Sequence, residues 1–230
     1  AVDYEASVFV NGRLLGRHIG GSTPFSFKIT PYLKKGSNTI VVRAKDYPTD
    51  KYIPRGKQYW EPKSASIFYR RTTGIWQSVW LEGAGSSYLK KVRIDTELDG
   101  TVRFASRVVR PEKGLKLTAK VSKEGETVAT VTVSAEQIRT SAVVVVPDPE
   151  YWGPTFRGMR PHLYDVTFTL HHEENVLDEV QSYFGIRTVT VESGRMFING
   201  RPVYLKLILD QGYWPESILT PPSDDAIKFD

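Results

Sequence analysis

The sequence has no cysteine and no apolar run of membrane-spanning length. Without thiols, disulfides, thiolate nucleophiles and cysteine-ligated zinc are excluded. The four histidines, His18, His162, His171 and His172, show no His-x-x-x-His spacing beside an acid, so the sequence predicts no metal site. It also predicts no membrane partner. Lack of cysteine does not fix the compartment, so the localisation stays open.

The composition is that of a folded globular protein of one large domain or two ordinary ones. Of the 230 residues, 40% are apolar, 12% aromatic and 25% charged. The net charge of +5 raises the question of a nucleic-acid partner. However, the basic residues form scattered short groups, such as residues 34–35, 70–71 and 90–91, rather than one continuous face. The sequence therefore predicts no nucleic-acid binding.

Nearly all periodic segments alternate like β-strands. Two Asn-Gly dipeptides, Asn11-Gly12 and Asn199-Gly200, stand between apolar runs and predict hairpins, because a type I′ turn needs positive φ at both central positions. Residues 25–29 and 39–44 also alternate and predict strands. From residue 86 onward, about seven short strands separated by turns predict an immunoglobulin-like sandwich of roughly 100 residues.

Residues 71–82, R-T-T-G-I-W-Q-S-V-W-L-E, predict a loop that feeds a strand. Ile75, Val79 and Leu81 share one parity, and Trp76 and Trp80 share the other, which is typical of a strand packed on both faces. From composition alone, this is a core strand with two tryptophans. The order T-G-I-W-Q-x-V-W-L-E is more particular, and it resembles the last strand of the N-terminal sugar-binding domain in glycoside hydrolase family 2.

The resemblance continues along the chain. Residues 8–12 with residues 20–27 resemble the jelly-roll core of that domain. Residues 151–154 with residues 160–166 resemble the signature of the family's second domain, and residues 181–188 resemble its exit strand.

The resemblance implies a mainly β fold in three parts. Residues 1–84 would be a jelly-roll sugar-binding domain whose first strands are missing, and residues 85–190 an immunoglobulin-like β-sandwich. Residues 191–230 would begin a (β/α)8 catalytic barrel, so the chain is expected to be a fragment.

The tail carries local signals for one βα unit. Residues 203–209 are almost continuously apolar, which suits a strand of a parallel sheet covered on both faces. Ser223 is a candidate N-cap, with Asp224 and Asp225 in the favourable first turn of a helix. The sequence at residues 209–214, L-D-Q-G-Y-W, departs from the Asn-x-His pattern of the better-known family members. The sugar therefore stays open.

Four residues are candidate substrate contacts. Residues 46–69 form a long irregular segment that favours either a binding loop or a surface loop held by its own aromatic residues. The resemblance favours binding, since Asp46 falls where family β-galactosidases carry an acidic residue on a loop that reaches the active site. Asp210, Tyr213 and Trp214 would follow the first barrel strand, on the face where barrel enzymes place their active sites. The alternative for the tail is a hinge with buried aromatic residues.

The resemblance implies a fragment of a retaining β-glycosidase, β-galactosidase-like, that hydrolyses O-glycosyl bonds. Its two catalytic glutamates would lie beyond Asp230, so no acid in this chain is assigned as catalytic and the fragment itself is expected to be inactive. A β-glycoside is the expected partner, no cofactor is implied, and a homo-oligomer stays open. The alternatives are a non-catalytic carbohydrate-binding or scaffold module and an immunoglobulin-type adhesion protein, which leaves residues 73–82 unexplained.

Overall fold

A computed structural model describes residues 1–155 and 158–230 of the chain, and the fold is mainly β. The chain divides into two compact units, residues 1–81 with 208–230 and residues 82–207. No helix in the described residues has the length and apolar character needed to cross a membrane.

The unit of residues 1–81 and 208–230 is built from short strands. Its strands are β1 (Val2–Asp3), β2 (Glu5–Val10), β3 (Arg13–Ile19), β4 (Ile40–Lys45) and β5 (Gly74–Ile75), with a 3-10 turn at Thr30–Tyr32 and a helix α1 at Asp224–Phe229. One antiparallel sheet has the order β3-β2-β4, and β1 pairs antiparallel with β5. Ala6, Val8 and Val10 point to the buried face of β2, as the alternation of a strand requires.

The first Asn-Gly hairpin is confirmed. Asn11 and Gly12 have φ values of 50° and 81° and join β2 to β3. The Asn11 side chain also fixes neighbouring backbone. Its amide donates to the carbonyl oxygen of Tyr32 at 2.9 Å, and its oxygen accepts from the N–H of Thr39 at 3.1 Å. The turn residue thus holds the segment that leads into β4.

Residues 82–207 form two packed sheets and a small meander. The strands are β6 (Tyr88–Thr96), β7 (Thr101–Val109), β8 (Leu115–Lys123), β9 (Glu126–Ser134), β10 (Arg139–Val145), β11 (Tyr164–His172), β12 (Asn175–Phe184), β13 (Val189–Glu192), β14 (Arg195–Ile198) and β15 (Arg201–Val203). The sheet orders are β10-β7-β6, β12-β11-β8-β9 and β13-β14-β15, all antiparallel. The run of strands predicted from alternation is confirmed in β6 to β12.

Apolar side chains from both larger sheets share one core. Phe104 of β7 meets Phe168 of β11 edge to face at 5.0 Å, and Tyr164 stacks on Phe184 at 5.5 Å. Phe104 and Phe168 are fully buried, together with aliphatic residues of β8 such as Leu117. Because the chain has no cysteine, this apolar packing replaces a disulfide between the sheets.

The second Asn-Gly hairpin is also confirmed, between β14 and β15, with φ values of 52° at Asn199 and 70° at Gly200. The Asn199 amide donates to the carbonyl oxygen of Trp152 at 3.0 Å, and its oxygen accepts from the N–H of Thr188 at 3.0 Å. Both Asn-Gly turns therefore connect strands and fix a distant segment.

The strand expected after Gly74 is wrong beyond Ile75. In the described residues β5 pairs with the two-residue β1, and Val79 and Leu81 are 69% and 70% exposed. A strand needs backbone partners along its length and a layer over its apolar face. The apolar residues of 76–82 alternate, but no strand of the described chain pairs with them. Those residues therefore do not form a strand in the described chain.

The strand expected at residues 25–29 is also wrong, because its aromatic residues pack without pairing their backbone in a sheet. Phe25 stacks on His18 at 4.4 Å, and Phe27 lies so close to Gly16 that a Cβ there would come within 2.5 Å of the ring. The segment therefore covers β3 as a loop.

The structure confirms the helix predicted after Ser223 but not the strand predicted over residues 203–209. The hydroxyl of Ser223 accepts from the N–H of Ala226 at 3.1 Å and caps α1. The expected strand over residues 203–209 ends at Val203, and Leu207 and Ile208 are 79% and 89% exposed. A parallel-sheet strand is stable only between neighbouring strands, which residues 204–209 lack in the described chain.

Candidate functional site

The loop that follows β4 is ordered by an arginine at its centre. The guanidinium of Arg55 donates to the carbonyl oxygens of Pro48 at 2.8 Å and Tyr47 at 3.1 Å, and also to that of Asp50. Its Nε is buried without an acceptor in the described residues. Three backbone carbonyls held by one side chain give the loop a defined shape without regular secondary structure.

A buried amide ties this loop to β1. Gln58 donates from Nε2 to Oδ2 of Asp3 at 2.8 Å and accepts on Oε1 from the N–H of Thr72 at 2.7 Å. Asp3 is 5% exposed and Gln58 is 6% exposed. A buried carboxylate needs such a donor, because an unpaired buried charge is costly.

Asp46 lies directly after β4, at the start of the loop. Its carboxylate accepts from the N–H of Tyr47 at 2.7 Å and from the hydroxyl of Thr73 at 3.1 Å. Burial raises the pKa of Asp3, the hydrogen bond from Gln58 opposes the rise, and the negative charge of Asp46 adds to it. Two carboxylates therefore share one electrostatic environment.

Tyr213 joins the tail to the same loop. Its hydroxyl accepts from the N–H of Lys57 at 3.1 Å, and its ring stacks on Tyr69 with 4.4 Å between the centroids and 10° between the planes. Burial raises the pKa of Tyr213, and the charge of Asp3 contributes to the rise. The structure thus brings Tyr213 and Asp46 to one loop, with Asp3 interacting electrostatically with both.

Trp214 and Asp210 are placed differently. The backbone of Trp214 pairs in both directions with Ile218 at 3.0 Å. Its indole Nε1 is buried and has no acceptor in the described part of the chain. The exposed carboxylate of Asp210 accepts from the N–H of Gly212 at 2.8 Å, which forms a local turn. Within residues 1–155 and 158–230, Asp210 makes no hydrogen bond or ion pair to the loop of residues 46–69.

A group of aromatic residues stands further along the loop. Tyr59 stacks on Phe68 at 5.1 Å with 4° between the planes, and Trp60 meets both rings edge to face. The ammonium of Lys51 lies 4.7 Å from the centroid of the Trp60 ring. The loop is therefore held partly by its own aromatic residues, which was one of the two alternatives for it.

Sequence reasoning missed Asp3, Gln58 and Arg55 as members of this arrangement. Asp3 sits on a two-residue strand, and Gln58 lies 55 residues away inside an irregular segment. Neither position carries a motif, so their pairing follows only from the tertiary fold. No group of three or more His, Cys, Asp or Glu residues able to hold a metal occurs in residues 1–155 and 158–230.

Known proteins match nearly the whole chain. The family model described as Glycosyl hydrolases family 2 matches residues 87–187. A β-galactosidase of Thermoanaerobacter pseudethanolicus is 32% identical over 214 residues, which are 87% of this chain and 27% of that protein. A β-glucuronidase of Rattus norvegicus is 26% identical over 221 residues, which are 88% of this chain and 33% of that protein.

Solved structures show the same fold. A β-glucuronidase from Ruminococcus gnavus superposes with a TM-score of 0.71 at 23% identity, over 96% of this chain and 37% of that chain. A glycosyl hydrolase family 2 member from Bacteroides cellulosilyticus gives a TM-score of 0.71 at 21% identity, over 89% of this chain and 28% of that one.

The sequence match to a β-galactosidase puts the chain in the class of glycoside hydrolases, and the solved structures share its fold. Within that class, the chain belongs to glycosyl hydrolase family 2. It spans about a quarter to a third of the length of these two curated relatives, 27% and 33%.

Proposed function

We propose that this chain is the non-catalytic, N-terminal part of a retaining β-glycosidase of the β-galactosidase type, with a β-glycoside as its substrate. The similarity to a β-galactosidase at 32% identity over 87% of the chain supports this proposal. Retaining hydrolysis uses two carboxylic acids about 5 Å apart, one as nucleophile and the other as general acid and then base. We assign both to glutamates of the complete protein outside this sequence, so the chain contributes to binding rather than to bond cleavage.

The domain assignment is part of the same proposal. Residues 1–84 correspond to a jelly-roll sugar-binding domain, supported by the antiparallel β3-β2-β4 sheet. Residues 85–190 correspond to an immunoglobulin-like sandwich, supported by the pairing orders β10-β7-β6 and β12-β11-β8-β9. Residues 191–230 correspond to the start of a (β/α)8 barrel, supported by the capped helix α1.

The substrate side of the site is proposed to comprise Asp46, Asp210, Tyr213 and Trp214. The observation that carries this proposal is that Tyr213, 156 residues after Lys57, bonds the backbone of the loop that Asp46 begins. Ionised carboxylates accept strong hydrogen bonds from sugar hydroxyls, and the Asp46 carboxylate has capacity beyond its two protein donors. The Trp214 indole N–H lacks a protein acceptor in the described residues, and its donation to a sugar hydroxyl requires the residues that cover this buried atom to move.

The test is hydrolysis of p-nitrophenyl β-glycosides by the complete protein that contains this chain, with the 230-residue chain beside it. The panel holds the galactoside, glucuronide, mannoside and glucoside. We expect turnover of at least one glycoside by the complete protein and none by the chain alone. Turnover by the chain alone would overturn the assignment of the catalytic glutamates.

The role of Asp46 is tested in the same assay. A hydrogen bond to a charged group is worth about 1.5–3 kcal/mol, so Asp46→Asn should lower kcat/KM by about 10- to 100-fold. Asp165→Asn is the matched control, because Asp165 is an exposed β11 residue in the other unit. Equal rates for Asp46→Asn and Asp165→Asn on every active substrate would remove Asp46 from the site.

A second candidate function is a carbohydrate-binding module without hydrolytic activity. The aromatic group of Tyr59, Trp60 and Phe68 favours it, since aromatic faces bind pyranose rings. A folded complete protein that binds these glycosides but hydrolyses none of them would support this alternative over the glycosidase.

A further inference from the structure

The sheet β3-β2-β4 carries cationic side chains on the face opposite its apolar core. Ala6 and Val8 of β2 point into the core, so Ser7 points to the other face. The strand register places Ser7 opposite Arg17 of β3 on one side and opposite Arg43 of β4 on the other. The three side chains therefore stand in one row across the sheet.

This row forms part of a recess in the sheet surface. The recess has a volume of about 150 Å³ and is lined by Glu5, Ser7, Arg17, Arg43 and Lys45. That volume is well above the roughly 10–15 Å³ that one water molecule needs on the same measure. Ser7 is buried at the base of the recess, and the two arginines are exposed around it.

The charges in the recess are unbalanced. Three cationic side chains face one carboxylate, that of Glu5, which accepts a hydrogen bond from the Tyr47 hydroxyl at 3.2 Å. The Lys45 ammonium lies 4.5 Å from the centroid of the Tyr47 ring. In the described residues, neither Arg17 nor Arg43 has a carboxylate within ion-pair distance. Both guanidinium groups are thus available to an external anion.

The spacing suits a single anionic group. Adjacent strands lie about 4.8 Å apart, so the Cα atoms of Arg17 and Arg43 are about 10 Å apart, with Ser7 between them. Two long side chains can converge over that distance on one oxyanion, and guanidinium groups bind oxyanions in a bidentate manner. An oxyanion between the two guanidinium groups would offset their mutual repulsion.

We propose that Arg17, Ser7 and Arg43 form a binding site for a single oxyanion, the sulfate or carboxylate group of a small anion. The guanidinium groups hold the oxygens, and the Ser7 hydroxyl donates from below. Glu5 offsets one of the three cationic charges that line the recess, so a net positive charge is left for the anion. The test measures anion binding, so its result does not depend on the proposed hydrolase activity.

The experiment is a calorimetric titration of the protein with sodium sulfate, sodium glucuronate and neutral glucose. Sodium chloride at equal ionic strength provides the screening reference. We expect sulfate and glucuronate to bind with one site and glucose to give no signal. Binding of sulfate without glucuronate would overturn the carboxylate part of the proposal and restrict the site to inorganic oxyanions.

Variants locate the site. The double variant Arg17→Gln with Arg43→Gln should bind sulfate at least about tenfold more weakly, since it removes both charge-assisted donors. Arg13→Gln is the matched control, because Arg13 is an exposed arginine on the same strand and does not line the recess. Equal weakening by Arg13→Gln, or no sulfate binding by the unaltered protein, would overturn the proposal. Should the double variant unfold, Arg43→Lys, which keeps the charge but loses the bidentate fork, must still weaken binding.

Discussion

Residues 82–207 enclose a core of large aromatic and aliphatic side chains between two sheets, whereas residues 1–81 and 208–230 bury fewer and smaller apolar side chains. Phe104 and Phe168 are fully buried in residues 82–207. In residues 1–81 and 208–230, Val79 and Ile208 are mostly exposed, and the buried face of β2 carries Ala6, Val8 and Val10 but no aromatic residue. The two units therefore depend on different interactions for their order.

Polar contacts carry much of the order in residues 1–81 and 208–230. Arg55 gathers three backbone carbonyls, Gln58 joins Asp3 to Thr72, and Asn11 holds the start of β4. A hydrogen bond of this kind contributes little net stability. Removing one partner, however, leaves the other buried without a hydrogen bond, and that lowers the stability more. Truncating an apolar residue should therefore matter most in residues 82–207, and removing a polar residue should matter most in residues 1–81 and 208–230.

The largest expected effect is in the sandwich of residues 82–207. Phe168→Ala should lower the free energy of unfolding by about 3–5 kcal/mol, because it leaves a cavity where Phe168 meets Phe104. Urea unfolding followed by tryptophan fluorescence and circular dichroism measures the change. Val79→Ala, at an exposed apolar position, should change it by less than about 0.5 kcal/mol. Similar losses for both variants would contradict the proposed difference between the units.

Local signals predict the two hairpin turns and the helix cap. The turns at Asn11-Gly12 and Asn199-Gly200 need positive φ at two adjacent residues. The Ser223 hydroxyl caps α1 by accepting from Ala226, three residues later. Each of these structures is decided by residues adjacent in sequence. They could therefore be predicted without knowledge of the tertiary fold.

Strand formation and the candidate site depend on partners that are distant in sequence. Residues 76–82 and 204–209 have apolar patterns typical of strands but lack neighbouring strands in the described chain. Family resemblance led to the prediction that Asp46 and Tyr213 contact the substrate, and that role stays a proposal. The sequence did not predict Asp3, since only the fold brings that carboxylate to Gln58.

The next effect is at the buried amide of residues 1–81. Gln58→Leu keeps the side-chain volume but leaves the Asp3 carboxylate and the Thr72 N–H without their partner. We expect a loss of about 1–3 kcal/mol in the free energy of unfolding. Gln77→Leu, at an exposed glutamine, is the control. A Gln58→Leu variant as stable as the control would show that polar contacts do not order this unit.

A smaller effect concerns the pH dependence contributed by Asp3. Burial raises the pKa of the folded Asp3 carboxyl above its unfolded value of about 3.9. Between those two values the folded state binds more protons, so this group's contribution to stability falls as the pH rises through that window. Asp3→Asn removes the dependence and keeps an acceptor for Gln58. The stability of the unaltered protein relative to Asp3→Asn should decline from pH 3 to pH 7 in urea unfolding, and a constant difference would contradict the role of burial.

The smallest effect is at an exposed ionic cluster in residues 82–207. The carboxylate of Glu150 contacts the Lys123 ammonium and lies 2.6 Å from Nδ1 of His162. The hydrogen bond from Lys123 lowers the pKa of Glu150, so its stabilisation is present above the unfolded pKa of about 4.3 and is lost as the pH falls through the folded value. Glu150→Gln should thus be slightly less stable than the unaltered protein at pH 7 and equal to it at pH 2. Glu179→Gln, an exposed β12 substitution, is the control. A pH-independent deficit for Glu150→Gln would mean that Glu150 acts through packing, as the core of this unit does, and not through its charge.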